Sequence, residues 1–100
     1  MEQKIQLKHP TGKKNVRIDK GEYGIIQKAI SKSIKEKGEL THTEILDCVI
    51  KELKKNRIKF KNSIGWYVES VKLDMEAGKI IERIPRTSPQ KYSIIDNNYE

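Results

Sequence analysis

The densest chemistry in this chain is cationic. Lys54-Lys55-Asn56-Arg57-Ile58-Lys59-Phe60-Lys61 holds five positive side chains and no acid. A second basic group follows in Lys79, Arg83, Arg86 and Lys91, and a third precedes it in Lys13, Lys14 and Arg17. Arg holds phosphate through a planar fork and Lys holds it as a point charge. The net charge of +7 favours a nucleic acid, an acidic partner or an anionic surface, and it says nothing about fold. The plainer alternative is a solvated lysine face.

Other reactive side chains stand apart. His9 lies before a proline, and His42 falls in the first turn of an expected helix. Neither has a Cys, a second His or an acid at metal-ligand spacing, so no metal is expected. Cys48 lies beside the apolar stripe of the second helix and reads as a small buried hydrophobe rather than a nucleophile. Glu69 and Glu76 sit two turns apart on one helix, with no pocket or cofactor signal around them. Gly21-Glu22-Tyr23-Gly24 lacks both the Gly pattern and the strand-to-helix setting of a phosphate loop. No catalytic residue and no cofactor is expected, and the chain does not read as an enzyme. A lone cysteine forms no internal disulfide and fits a reducing compartment. No apolar run approaches the ~20 residues of a membrane span, and no signal-type segment follows Met1. The expected setting is cytoplasmic, without a membrane.

These side chains must be positioned by one α+β domain over 1–100. Ile5 and Leu7, then Val16 and Ile18, alternate around His9-Pro10-Thr11-Gly12-Lys13, which predicts an N-terminal β-hairpin over 1–19. Three helices are expected over 19–78. Asp19 with Glu22 starts the first, which carries Tyr23, Ile26, Ile30 and Ile34 and stops at Gly38. Thr41 and Glu44 form a capping box for the second, with Ile45, Val49 and Leu53 on its inner face. Asn62 or Ser63 caps the third. There Ile64, Tyr67, Val68, Val71 and Met75 form one apolar face, and Trp66, Leu73 and Ala77 form a second stripe about half a turn away. Gly78 ends that helix. Strands over Lys79–Ile84 and Gln90–Ile95 flank a turn with two prolines, and 96–100 reads as an acidic frayed tail.

The stretch from Asp19 to Ile95 resembles the winged-helix domains of bacterial regulators. "AGKIIERIPRTSPQKYSI" looks like a third-helix exit followed by a strand, a basic turn and a return strand with a Tyr. The whole chain, including "LKHPTGKK" and "SIGWYVESVK", also resembles a family of small uncharacterised bacterial proteins. The first resemblance implies a winged helix-turn-helix with the 79–95 segment as its wing. It implies double-stranded DNA as partner, in transcription regulation. Fold alone does not establish that use.

Dividing the charge qualifies the implication. The loop 54–62 carries +5, and the wing with Lys79, Arg83, Arg86 and Lys91 against Glu82 carries +3. The second helix region, 39–53, is −3, and the third, 63–78, is −2. Bases in the major groove are read chiefly by Arg, Lys, Asn and Gln, and the third helix offers only Lys72. The expected phosphate contacts are therefore Lys59, Lys61, Lys72, Arg83, Arg86 and Lys91, with little reading of sequence. The rival expectation is a protein-interaction or homodimer surface along Trp66, Leu73 and Ala77, which needs no nucleic acid.

Overall fold

The computed structural model describes residues 3–60 and 62–95. Lys61, residues 1–2 of the expected hairpin and the tail 96–100 lie outside the described residues. The domain is α+β, with three helices and two small antiparallel sheets. No helix among the described residues is long and apolar enough to cross a membrane.

β1 (Lys4–Gln6) pairs with β2 (Arg17–Asp19), with Ile5 opposite Ile18. Alternation turns Ile18 into the core and leaves Lys4 and Arg17 outside. A two-stranded ribbon is marginal by itself, and here Leu7 and Ile18 bury it against the helices. The ten-residue connection bends where Gly12 (φ 86°) donates its N–H to His9 O at 2.9 Å.

α1 (Lys20–Lys37) starts where Asp19 accepts from the Glu22 N–H. Only half of the expected box forms, because Glu22 accepts instead from the Tyr67 hydroxyl. Gly38 closes the helix at φ 90°, a left-handed conformation that glycine adopts without steric cost. β3 (Leu40–Thr41) follows, and periodicity gives no sign of so short a strand. α2 (His42–Lys55) has the full capping box: Thr41 Oγ1 accepts from the Glu44 N–H, and Glu44 Oε1 accepts from the Thr41 N–H. α3 (Ile64–Ala77) is capped by Ser63, which settles the choice between Asn62 and Ser63.

β4 (Ile81–Ile84) and β5 (Lys91–Ile94) form an antiparallel ribbon, with Arg83 opposite Tyr92. β5 also pairs with β3, Leu40 opposite Tyr92, so the sheet order is β3-β5-β4. β4 begins two residues later than the sequence suggests. Lys79 and Ile80 are held by α3 instead, donating to Glu76 O and Met75 O. Lys79, not Gly78, takes the left-handed conformation there, at φ 60°. α2 ends in the same manner: Arg57 (φ 57°) donates to Lys54 O and Ile58 to Leu53 O.

The three helices surround one core. Ile26, Ile30 and Ile34 meet Ile45, Val49 and Leu53, then Tyr67, Val68, Val71 and Met75. Leu40, Ile81 and Tyr92 close it from the sheet side.

Candidate functional site

The basic residues expected to meet phosphate fall into two separated places. The first is the turn after α2, where Lys54, Lys55, Arg57 and Lys59 are exposed while Ile58 and Phe60 pack on the core. Alternation of apolar anchors with cations holds that backbone in place and aims the charges outward. The second is the β4–β5 ribbon, where Arg83 and Arg86 are exposed and Lys91 is half-buried. Thr87 closes its turn, accepting from the Lys91 N–H and donating to Ile84 O. Lys91 pairs with Thr41 at the start of α2, whereas the loop leaves the end of that helix. Fourteen residues of helix, about 21 Å at 1.5 Å per residue, lie between the two patches.

Arg83 is only partly available. Its Nε donates to Glu76 Oε1 at 2.7 Å, and the Glu76 side chain is 6% exposed. That hydrogen bond holds the guanidinium still more firmly in its charged form. Among the described lysines and arginines, only Lys32, Lys51, Lys72 and Arg83 have a carboxylate within 4.0 Å. The remaining described cations face solvent without an acid partner at that distance.

Lys72 does not belong to the phosphate set. It is 3% exposed. Its Nζ donates to Tyr92 Oη at 2.9 Å, lies 4.2 Å from that ring's centroid and stands 3.6 Å from Glu69 Oε1. An ammonium so placed cannot reach a phosphate without giving up these contacts. The sequence conceals this because the phenol that receives the ammonium returns from another strand twenty residues later.

His42 joins the same cluster. Its Nδ1 is 3.7 Å from Glu69 Oε1, beyond hydrogen-bond reach, and is buried without a hydrogen-bond partner. Burial and the nearby Lys72 ammonium lower its pKa below 6.5, against a smaller opposing pull from Glu69. Lys72, Tyr92, Glu69 and His42 have the composition of an acid–base site. Lys72 and Tyr92 are nonetheless closed to a substrate, and none of the described grooves is lined by the four. Among the described residues no three His, Cys, Asp or Glu side chains come together as a metal-binding group.

The Trp66, Leu73 and Ala77 stripe is not one open face. Ala77 lines a groove with the β1–β2 connection, and Leu73 is half-buried. Asp74 fastens that connection to α3. One oxygen accepts from the Lys8 N–H at 2.8 Å and the other from the Tyr23 hydroxyl at 2.7 Å. Burial and the Asp74 carboxylate push the Tyr23 hydroxyl far above its ordinary pKa. Asn15 adds a second tie, donating to Ser70 O at 3.0 Å and to Lys8 O at 2.9 Å. Trp66 is left 38% exposed, edge-on to Tyr67 with ring centroids 5.0 Å apart. It borders a groove of about 430 Å³ that it shares with Lys4, Arg17 and Asn62. Sequence reasoning missed this meeting of Trp66 with Lys4 and Arg17. The available signal was the outward register of the two cations on their strands.

The molecule is thus a small basic α+β domain whose third helix is packed on most sides, with its free cations on α1 and on the loops and ribbons around it. The chain belongs to a family of unknown function, DUF6958, whose model matches residues 4–92. Among curated proteins and among solved structures, nothing matches this chain.

Proposed function

We propose that this domain is a winged helix of regulator type, with β4–β5 as its wing, that binds duplex DNA in a cytoplasmic setting through phosphate contacts and without base reading by α3. The sheet order supports the fold reading, since β3, between the first two helices, pairs with the return strand of the C-terminal ribbon. The observation that carries the function is the division of charge. Among the described residues, cations at the α2–α3 loop and the ribbon, Lys91 half-buried and the others exposed, are largely free of acid partners, while α3 exposes only Trp66 and Glu69. Phosphate contacts position a protein on DNA but carry no sequence information.

Lys59, Arg86 and Lys91 are the described contacts that this reading retains, with Arg83 shared with Glu76. The protein-interaction reading has less support, because Asp74 and Ser70 of α3 already hold the β1–β2 connection by hydrogen bonds beside that stripe. Fluorescence anisotropy with unrelated duplexes of about 20 base pairs tests the proposal. Three phosphate contacts give a log–log salt slope near −2.7, hence a loss of about 40-fold between 50 and 200 mM salt. Affinities should differ little among sequences, and Lys59→Glu with Arg86→Glu and Lys91→Glu should abolish binding. No binding at about 50 mM salt would refute the proposal.

A further inference from the structure

We infer that Trp66, with Lys4 and Arg17, forms a stacking site for an unpaired nucleobase, so that single-stranded nucleic acid is a ligand of this domain. The inference rests on the nucleic-acid reading above and assigns a second, separate surface to it.

Trp66 is the sole tryptophan of the chain. It is also one of only two exposed large hydrophobic residues among those described, the other being Ile25 on α1. Its neighbours on the groove are not those of a protein-docking face. Four of the eight residues that line it are charged. The two carboxylates, Asp19 and Glu22, line the groove and each already holds a partner of the fold: Asp19 accepts from the Glu22 N–H, and Glu22 accepts from the Tyr67 hydroxyl. Lys4 and Arg17 have no carboxylate within 4.0 Å among the described residues, so their heads are free for phosphate. Asn62 is exposed on the same groove and offers an amide for a base edge.

The indole is packed along one edge. Tyr67 meets it edge-on at 85°, and Phe60 backs Tyr67 at 4.7 Å between centroids. A partly exposed aromatic ring beside backbone-tracking cations is an arrangement by which proteins hold single strands with little sequence preference. A duplex buries its base faces and cannot use such a ring, so strandedness discriminates this site from the wing.

A lone tryptophan makes the test direct. Oligo(dT) of about 15 nucleotides should quench the intrinsic emission on titration. Trp66→Ala should weaken oligo(dT) binding by about 5- to 150-fold and leave duplex affinity unchanged. Trp66→Phe keeps a ring and should retain most of the affinity, which guards against a folding defect in the alanine variant. Lys4→Ala with Arg17→Ala should flatten the single-strand salt slope by about 1.4. Oligo(dT) bound without quenching, an abasic oligomer bound as tightly as oligo(dT), or duplex binding alone would each overturn this inference while leaving the wing proposal standing. Absence of binding to either form would overturn both.

Discussion

Lys72 and Tyr92 allow the sharpest test, because the sequence and the structure give Lys72 opposite roles. A phosphate-binding Lys72 contributes about 0.9 to the salt slope. Its loss would then change the ratio of affinities at 50 and 200 mM salt by ~3.5-fold. The structure instead places its ammonium 3% exposed against Tyr92 Oη at 2.9 Å. Lys72→Met should therefore leave the slope unaltered. The cost should appear in stability, and unevenly. Tyr92→Phe removes the main acceptor from a buried cation and leaves it the half-exposed Glu69 at 3.6 Å. A hydrogen bond to a charged group contributes about 1.5–3 kcal/mol, so a loss near 2 kcal/mol is expected. For a 100-residue domain that lowers Tm by roughly 8–16 °C. The pair Lys72→Met/Tyr92→Phe replaces both partners by apolar groups and should be close to neutral. Urea unfolding followed by Trp66 emission measures all three variants and yields the coupling energy. A Tyr92→Phe protein within about 0.5 kcal/mol of wild type, or a Lys72→Met protein with a shallower salt slope, would refute the argument.

Three further outcomes follow from particular contacts. Asp74→Ala should destabilise by about 2–4 kcal/mol, since it strips an acceptor from both the Lys8 N–H and the Tyr23 hydroxyl; hydrogen exchange at Lys8 should accelerate, and unchanged protection there would contradict the clamp. Lys79→Gly should raise the urea midpoint, by ~1 kcal/mol in stability, because glycine adopts φ 60° without the penalty of a Cβ. His42 has a folded-state pKa below its unfolded value of 6.5, so the native state binds fewer protons over that interval. Stability should fall as pH drops through 6.5 and level off below the folded pKa, and His42→Gln should remove this part of the slope in urea midpoints measured between pH 7.5 and 5.

Local signals were legible wherever one residue type answers one backbone need. Asp19, the Thr41–Glu44 box, Ser63 and Gly38 each satisfy a helix end from within a few residues, and the sequence displays them. Features that depend on distant partners were hidden. β3 is two residues long and exists because β5 returns to pair with it, so no periodicity marks it. Lys79 takes the left-handed position that Gly78 seemed suited to, because Ile80 must reach back to Met75 O one residue further on. Type and spacing put Lys72 with Glu69 and Glu76 on a polar strip of α3, yet Lys72 is buried by Tyr92 and Glu76 nearly so beside Arg83. The two-sided apolar character of α3 signalled burial that only one side has in full: Trp66 stays exposed and Leu73 and Ala77 half-buried, and nothing marked Asp74 and Ser70 as the residues that hold the β1–β2 connection by hydrogen bonds.

The surroundings of α3 explain why a basic domain of this shape would bind nucleic acid without reading it. Glu69, Leu73 and Trp66 lie within about 60° of one another on the helix, and they mark its outward side. A helix entering the major groove must offer donors and acceptors to base edges there. This side offers one carboxylate, one half-buried leucine and one indole. The carboxylate is repelled by the phosphates on both groove walls and matches only the amino group of cytosine. Lys72, beside Glu69, is held by Tyr92, and Arg83 is tied to Glu76. On the proposed reading, attraction for a duplex therefore acts at the margins, through the loop after α2 and the ribbon, while Glu69 on the outward side of the helix repels it. On that reading a duplex is held from the margins without being entered, and only a base that leaves its stack can reach the indole.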